Sequence, residues 1–60
     1  MRYLIDPKHG SAYWCDADAL MFAPLSTDST FDTEEAGAVD FALLDEQDRG
    51  TVEGIKETLC

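Results

Sequence analysis

Ten carboxylates, Asp16, Asp18, Asp28, Asp32, Glu34, Glu35, Asp40, Asp45, Glu46 and Asp48, fall between His9 and Asp48 with no lysine or arginine among them. Carboxylates at this density can hold a metal ion, share a proton in acid–base chemistry, or offer a track of negative charge to a basic partner. The third use fits the pattern best. Alternate residues on an extended strand stand about 6.6 Å apart on one side, comparable to the spacing of successive phosphates along a nucleic-acid strand. Asp16 and Asp18 therefore carry charge at a phosphate-like pitch if that segment is extended, and Asp28, Asp32, Glu34 and Glu35 lengthen the row. A protein that competes with DNA or RNA for a basic cleft needs such a row, because the cleft is already arranged to receive regular negative charge.

The other two uses fit less well. Asp28, Thr30, Asp32 and Glu34 alternate as the ligands of a calcium loop do, but the sixth and twelfth positions counted from Asp28 are Thr33 and Val39, where an EF-hand loop needs glycine and glutamate. His9, Cys15 and Cys60 lack the paired spacing of a zinc site. With one histidine, placed in a turn, and a chain too short to wrap a dry pocket, neither an enzyme nor a cofactor is expected.

Trp14 and Phe31 complete the expected partner surface. An aromatic side chain ringed by carboxylates has the make-up of a binding hot spot with a charged rim. The competing reading puts Trp14 in the core or in a homodimer seam.

The elements that position these residues follow from local signals. Arg2 to Ile5 alternates polar and apolar residues and runs into Asp6-Pro7-Lys8-His9-Gly10. Pro7 presets a turn and Gly10 accepts a left-handed conformation, so a hairpin with a five-residue loop leads to a second strand over Ser11 to Cys15. Asp16-Ala17-Asp18 makes a second break. Ala19 to Leu25 reads as a third strand, with Leu20 and Phe22 on one face and Met21 and Leu25 on the other. Pro24 restricts that strand to a sheet edge or ends it near Ala23. Residues 26–37 read as an acidic loop, and Ala38 to Leu44 as a fourth strand. Asp45 is the expected N-cap of a helix reaching about Leu59, whose Val52, Ile55 and Leu59 form one apolar stripe. The expected fold is α+β: a small antiparallel sheet of three to four strands with one C-terminal helix packed on one face, in a single domain spanning residues 1–60. Tyr13, Trp14, Met21, Leu25, Phe31 and Leu44 exceed what one helix covers, leaving an apolar sheet face for self-association.

Composition sets the outer bounds. At 60 residues, 45% of them hydrophobic, the chain carries enough apolar material to fold around one small core despite a net charge of -9. There is no apolar run of transmembrane length and no basic-then-apolar leader pattern, so neither a membrane nor a signal peptide is expected and the address is cytoplasmic. Cys15 and Cys60 are expected as free thiols, since a secreted mini-protein of this length usually carries two or more bridges and Cys60 is terminal. Four lysines and arginines are too few for direct nucleic-acid binding. If crowding raises the pKa values of the acids, stability peaks in mild acid.

In size and charge alone, the chain resembles the short acidic inhibitors that bacteriophages and mobile elements deploy against host nucleic-acid enzymes, among them anti-restriction, anti-CRISPR and uracil-DNA glycosylase inhibitor proteins. The resemblance covers no alignable stretch, so no residue role follows from it. The expected function is a non-enzymatic inhibitor that occupies a basic, nucleic-acid-binding surface of another protein. The alternative is an assembly module that dimerises through its apolar sheet face, with the acids only keeping it in solution.

Overall fold

Turn chemistry organises the first half of the chain. The computed structural model, which describes all 60 residues, has an antiparallel sheet in the order β1-β2-β3-β4. Strand β1 (Tyr3–Asp6) is followed by β2 (Ser11–Asp16) in a register that sets Tyr3 opposite Trp14 and Asp6 opposite Ser11. The connecting turn closes on Asp6, whose Oδ1 accepts from the backbone N–H of Lys8 (3.1 Å) and of His9 (3.4 Å). Gly10 leaves the turn with φ +64°, the left-handed conformation expected of it.

The second hairpin is tighter. Ala17 (φ 52°) and Asp18 (φ 65°) form a two-residue turn in which both residues are left-handed, the twist that matches paired strands. Strand β3 (Ala19–Pro24) then sets Leu20 opposite Cys15 and Phe22 opposite Tyr13. Strand β4 is only Gly37–Ala38, paired with Phe22 and Met21. Pro24 thus lies beyond the end of β4, where its missing N–H breaks no ladder bond.

The fourth strand, expected over Ala38 to Leu44, stops at Ala38. The Asp40 carboxylate accepts from the N–H of Ala42 (3.0 Å) and turns the chain into a 3₁₀ turn at Phe41–Leu43. Arg49 then fastens that turn, its Nε donating to the Phe41 carbonyl (3.0 Å) and its terminal nitrogen to the Leu44 carbonyl (2.8 Å). Helix α1 (Glu46–Leu59) starts where expected, with Asp45 Oδ1 accepting from Asp48 N–H at 2.8 Å. No helix is long and apolar enough to cross a membrane.

Alternation along the strands gives the sheet two distinct faces. On one, Tyr13 and Leu20 pack with Val52 and Ile55 of α1, flanked by Leu4, Val39, Phe41, Leu44 and Leu59. The other carries Tyr3, Ala12, Trp14, Met21 and Ala23. It has no helix, yet Ala12, Trp14 and Ala23 are buried, with Trp14 only 6% exposed. The cover is the acidic segment. Phe31 folds back so that its ring stacks on Trp14 (centroids 5.6 Å apart, planes 22°) and meets the Tyr3 ring edge-on at 5.3 Å. The result has three layers: helix, sheet and an acidic strap.

The cysteines also depart from expectation. Cys15 of β2 is bonded to Cys60 just past the end of α1, with Cα atoms 5.5 Å apart, and no free thiol remains. Cys15 is on the helix face, and the stripe that docks α1 on Tyr13 brings its last residue to that strand. The bridge therefore joins two elements that packing has already placed together.

Candidate functional site

Five of the aspartates have a structural use that the charge pattern does not reveal. Asp6, Asp28, Asp32, Asp40 and Asp45 each accept a backbone N–H within three residues downstream. A short carboxylate side chain reaches such a donor without leaving its own turn. Asp28 adds the Thr30 hydroxyl at 2.7 Å, and that bond with the Thr30 amide holds the Asp28 carboxyl below its ordinary pKa.

The expected partner residues divide into two groups. Asp28, Asp32, Glu34 and Glu35 are exposed along the strap, Glu34 and Glu35 in a 3₁₀ turn (Thr33–Glu35) capped by Asp32. Asp16 and Asp18 are exposed at the far hairpin, but the left-handed backbone at Ala17 and Asp18 ends the extended run at Asp16, so a phosphate-like pitch is not formed there. Trp14 and Phe31 are brought together, but facing inward. Phe31 is half-buried against Trp14, which shows almost none of its ring to solvent.

The cations leave the acids unpaired. Arg49 is held on two carbonyls, Arg2 reaches the Thr58 carbonyl at 3.4 Å, and Lys56 Nζ sits 5.7 Å from the centre of the Phe41 ring. No lysine or arginine comes within 4.0 Å of a carboxylate. His9 is the one ion-pairing cation, and it engages Asp6 and Asp48, leaving eleven of the thirteen acids without an ion pair.

That histidine was expected as an ordinary loop residue. Instead Nδ1 lies 2.6 Å from Asp6 Oδ2 and Nε2 lies 2.8 Å from Asp48 Oδ1, tying the first turn to the start of α1. The hydrogen bonds to Asp6 and Asp48 raise the His9 pKa above its ordinary value, against the opposing effect of burial. At Asp6, burial pushes the carboxyl upward. The bonds from the His9 ring and from the His9 and Lys8 N–H groups outweigh it and lower the pKa. The carboxyl shifts at Asp6 and Asp28 are thus downward and local in cause, opposite to the rise expected from crowding.

The two carboxylates occupy different edges of the imidazole and do not converge. No group of three or more His, Cys, Asp or Glu residues is arranged to hold a metal ion. Both ring nitrogens are engaged, so His9 offers neither a free lone pair nor a free N–H. Only its proximity to an aspartate in a turn was visible in the sequence; Asp48, 39 residues away, carried no signal.

Beside this clamp lies a cavity of about 330 Å³, lined chiefly by Tyr13, Phe22, Val39, Leu43, Leu44 and Val52, with His9, Ser11 and Asp40 among its few polar groups. It is a pocket open to solvent, not the dry enclosure that a chain of this length is expected to be too short to wrap. The short β4 and the turn at Phe41–Leu43 create the pocket, because they leave the helix face of the sheet incompletely roofed. Burial beside it, with the negative charges of Asp6 and Asp48, raises the Tyr13 phenol pKa, so this wall carries no charge at neutral pH.

No protein-family model, curated protein or solved structure matches the chain.

Proposed function

We propose that the protein is a small acidic, non-enzymatic inhibitor that occupies a basic, nucleic-acid-binding surface of another protein, in the manner of phage-type host-takeover or anti-defence factors. The observation that carries this reading is the disposition of charge. Eleven carboxylates stand without an ion-pair partner, while Arg2, Arg49 and Lys56 are turned onto carbonyls and a ring. A coat meant only for solubility mixes both signs. One that withholds its cations projects its field outward and steers a basic partner into contact.

Within this reading Asp28, Asp32, Glu34 and Glu35 make the principal contact, and Phe31 acts by holding their segment on the sheet. The homodimer alternative loses area, because Phe31 already covers the Trp14 face. The working site is the cytoplasm, where reduction opens disulfides. The strap must then hold without the Cys15–Cys60 bridge, as its own stack and turn bonds allow.

The test is a pull-down with tagged protein from lysate of the source organism, eluted in salt steps, with duplex DNA as competitor in a parallel arm. Recovery of a nucleic-acid enzyme that DNA displaces supports the reading. Replacing Asp28 and Asp32 by Asn and Glu34 and Glu35 by Gln keeps the turn acceptors while removing four charges. Unchanged affinity of that variant at low salt would sink the proposal.

A further inference from the structure

Leu43 is 83% exposed, and it is held there. Its turn is fixed at one end by the Asp40 carboxylate on Ala42 N–H, and from below by Arg49 on the carbonyls of Phe41 and Leu44. An aliphatic side chain on a mobile loop would fold inward to shed water. This one is fastened at the wall of the cavity, which also includes Phe22, 37% exposed. A sizeable opening walled by Tyr13, Phe22, Val39, Leu43 and Val52 and left open to solvent is an apolar binding surface.

Two features define what would fill it. The first is size. A sealed apolar cavity of roughly 150 Å³ holds one benzene, so the 330 Å³ here takes a large aromatic side chain together with its stem. The second is charge. No lysine or arginine lines the cavity, and Asp40 stands among its lining residues. The His9 charge is met on both sides by Asp6 and Asp48, so these four groups sum to a negative site. The His9 ring has no hydrogen left to donate, and the Ser11 hydroxyl donates to the His9 carbonyl at 3.3 Å. Apart from the Tyr13 hydroxyl the site has few donors, while the Asp40 carboxylate among its lining residues supplies acceptors. It suits an apolar group whose neighbours bring the donors and the positive charge.

We infer that this cavity is a docking pocket for a bulky aromatic side chain of the partner, carried on a segment flanked by lysine or arginine. The inference rests on the inhibitor reading above and adds to it an anchor: the acids bring a basic surface near, and the pocket captures one aromatic residue from it. A second copy of the chain is the wrong occupant, because it brings another net charge of -9 to a negative site.

The experiment uses the isotope-labelled 60-residue chain and synthetic blocked peptides, followed by amide chemical shifts. The probes are KRWRK, KRARK and EDWDE, with N-acetyltryptophanamide as the uncharged aromatic. KRWRK is expected to shift Phe22, Val39, Leu43 and Val52 and to bind about tenfold more tightly than KRARK, the scale for burying one aromatic group. Leu43→Ser, on a side chain almost fully in solvent, should keep the fold and weaken KRWRK by about the same factor. Asp40→Asn, which keeps the turn acceptor, should weaken it less.

Equal binding of KRWRK and KRARK, with shifts confined to Asp28, Asp32, Glu34 and Glu35, would overturn the pocket and leave the inhibitor reading standing. Binding of EDWDE or N-acetyltryptophanamide as tight as that of KRWRK would overturn the basic partner. Failure of every peptide to bind at low salt would overturn the pocket; the inhibitor reading is then decided separately by the DNA-competed pull-down.

Discussion

His9 Nε2 lies 2.8 Å from Asp48 Oδ1, joining a turn of the first hairpin to the first turn of the helix across 39 residues. Asp6 occupies the other ring nitrogen. Because a carboxylate only accepts, the ring must donate from both nitrogens, and the arrangement is complete only with His9 as the imidazolium.

This arrangement sets a pH window. The folded His9 pKa is raised, so its contribution to stability is fully present below the unfolded value of 6.5 and is lost as pH rises through the folded one. The folded Asp6 pKa is lowered, so its contribution is present above 3.8 and is lost as pH falls through the folded value. Together they predict a stability maximum between the two. Ring chemical shifts should titrate with a midpoint above 6.5, and His9→Ala should lower Tm more at pH 6 than at pH 9. An equal loss at both values would refute the clamp.

The strap depends on one ring. Phe31→Ala removes the stack on Trp14 and the edge contact with Tyr3, at an expected cost of about 2 kcal/mol for a half-buried aromatic. Urea denaturation measures the loss, and Trp14 emission should move to the red as water reaches the indole. Unmoved emission would mean that the acidic segment does not shield Trp14 in solution.

The Cys15–Cys60 bridge spans a sequence separation of 45. Restricting an unfolded chain over that length is worth about 4 kcal/mol in the loop-entropy model, a large share of the stability of a 60-residue domain. Reductant should lower the Tm of the native protein by roughly 20 °C yet leave it folded at 25 °C, while Cys60→Ser should begin at the lower value and not respond.

Unpaired acids repel one another. Added salt should therefore raise Tm at pH 7, most steeply below about 0.15 M, where the screening length shrinks to about 8 Å. A flat profile would mean the eleven unpaired carboxylates act as isolated charges.

The second hairpin can be improved. Ala17 and Asp18 hold left-handed conformations that cost a residue with a Cβ about 1 kcal/mol. Changing them to Asn-Gly, the preferred pair for this turn, should stabilise the protein by about 1 kcal/mol in denaturant titration.

What the sequence alone determined is what neighbouring residues settle among themselves. Asp6-Pro7 and Gly10 specify the first turn, strand alternation assigns Leu20 and Phe22 to one face and Met21 to the other, and Asp45 with the Val52, Ile55 and Leu59 stripe specifies the helix. Each works within a few residues, where hydrogen-bond reach and side-chain period leave little choice. The tertiary structure decided the rest. Alternation alone extended the last strand to Leu44, but Asp40 turned the chain and Arg49, arriving from the helix, held it there. Phe31 lies in a polar run that reads as loop, and only the bare Trp14 face explains its folding inward. Cys15 and Cys60, like His9 and Asp48, become neighbours because helix packing on the sheet brings distant ends together. Such contacts arise only when both surfaces exist, so their partners are chosen by geometry rather than by spacing along the chain.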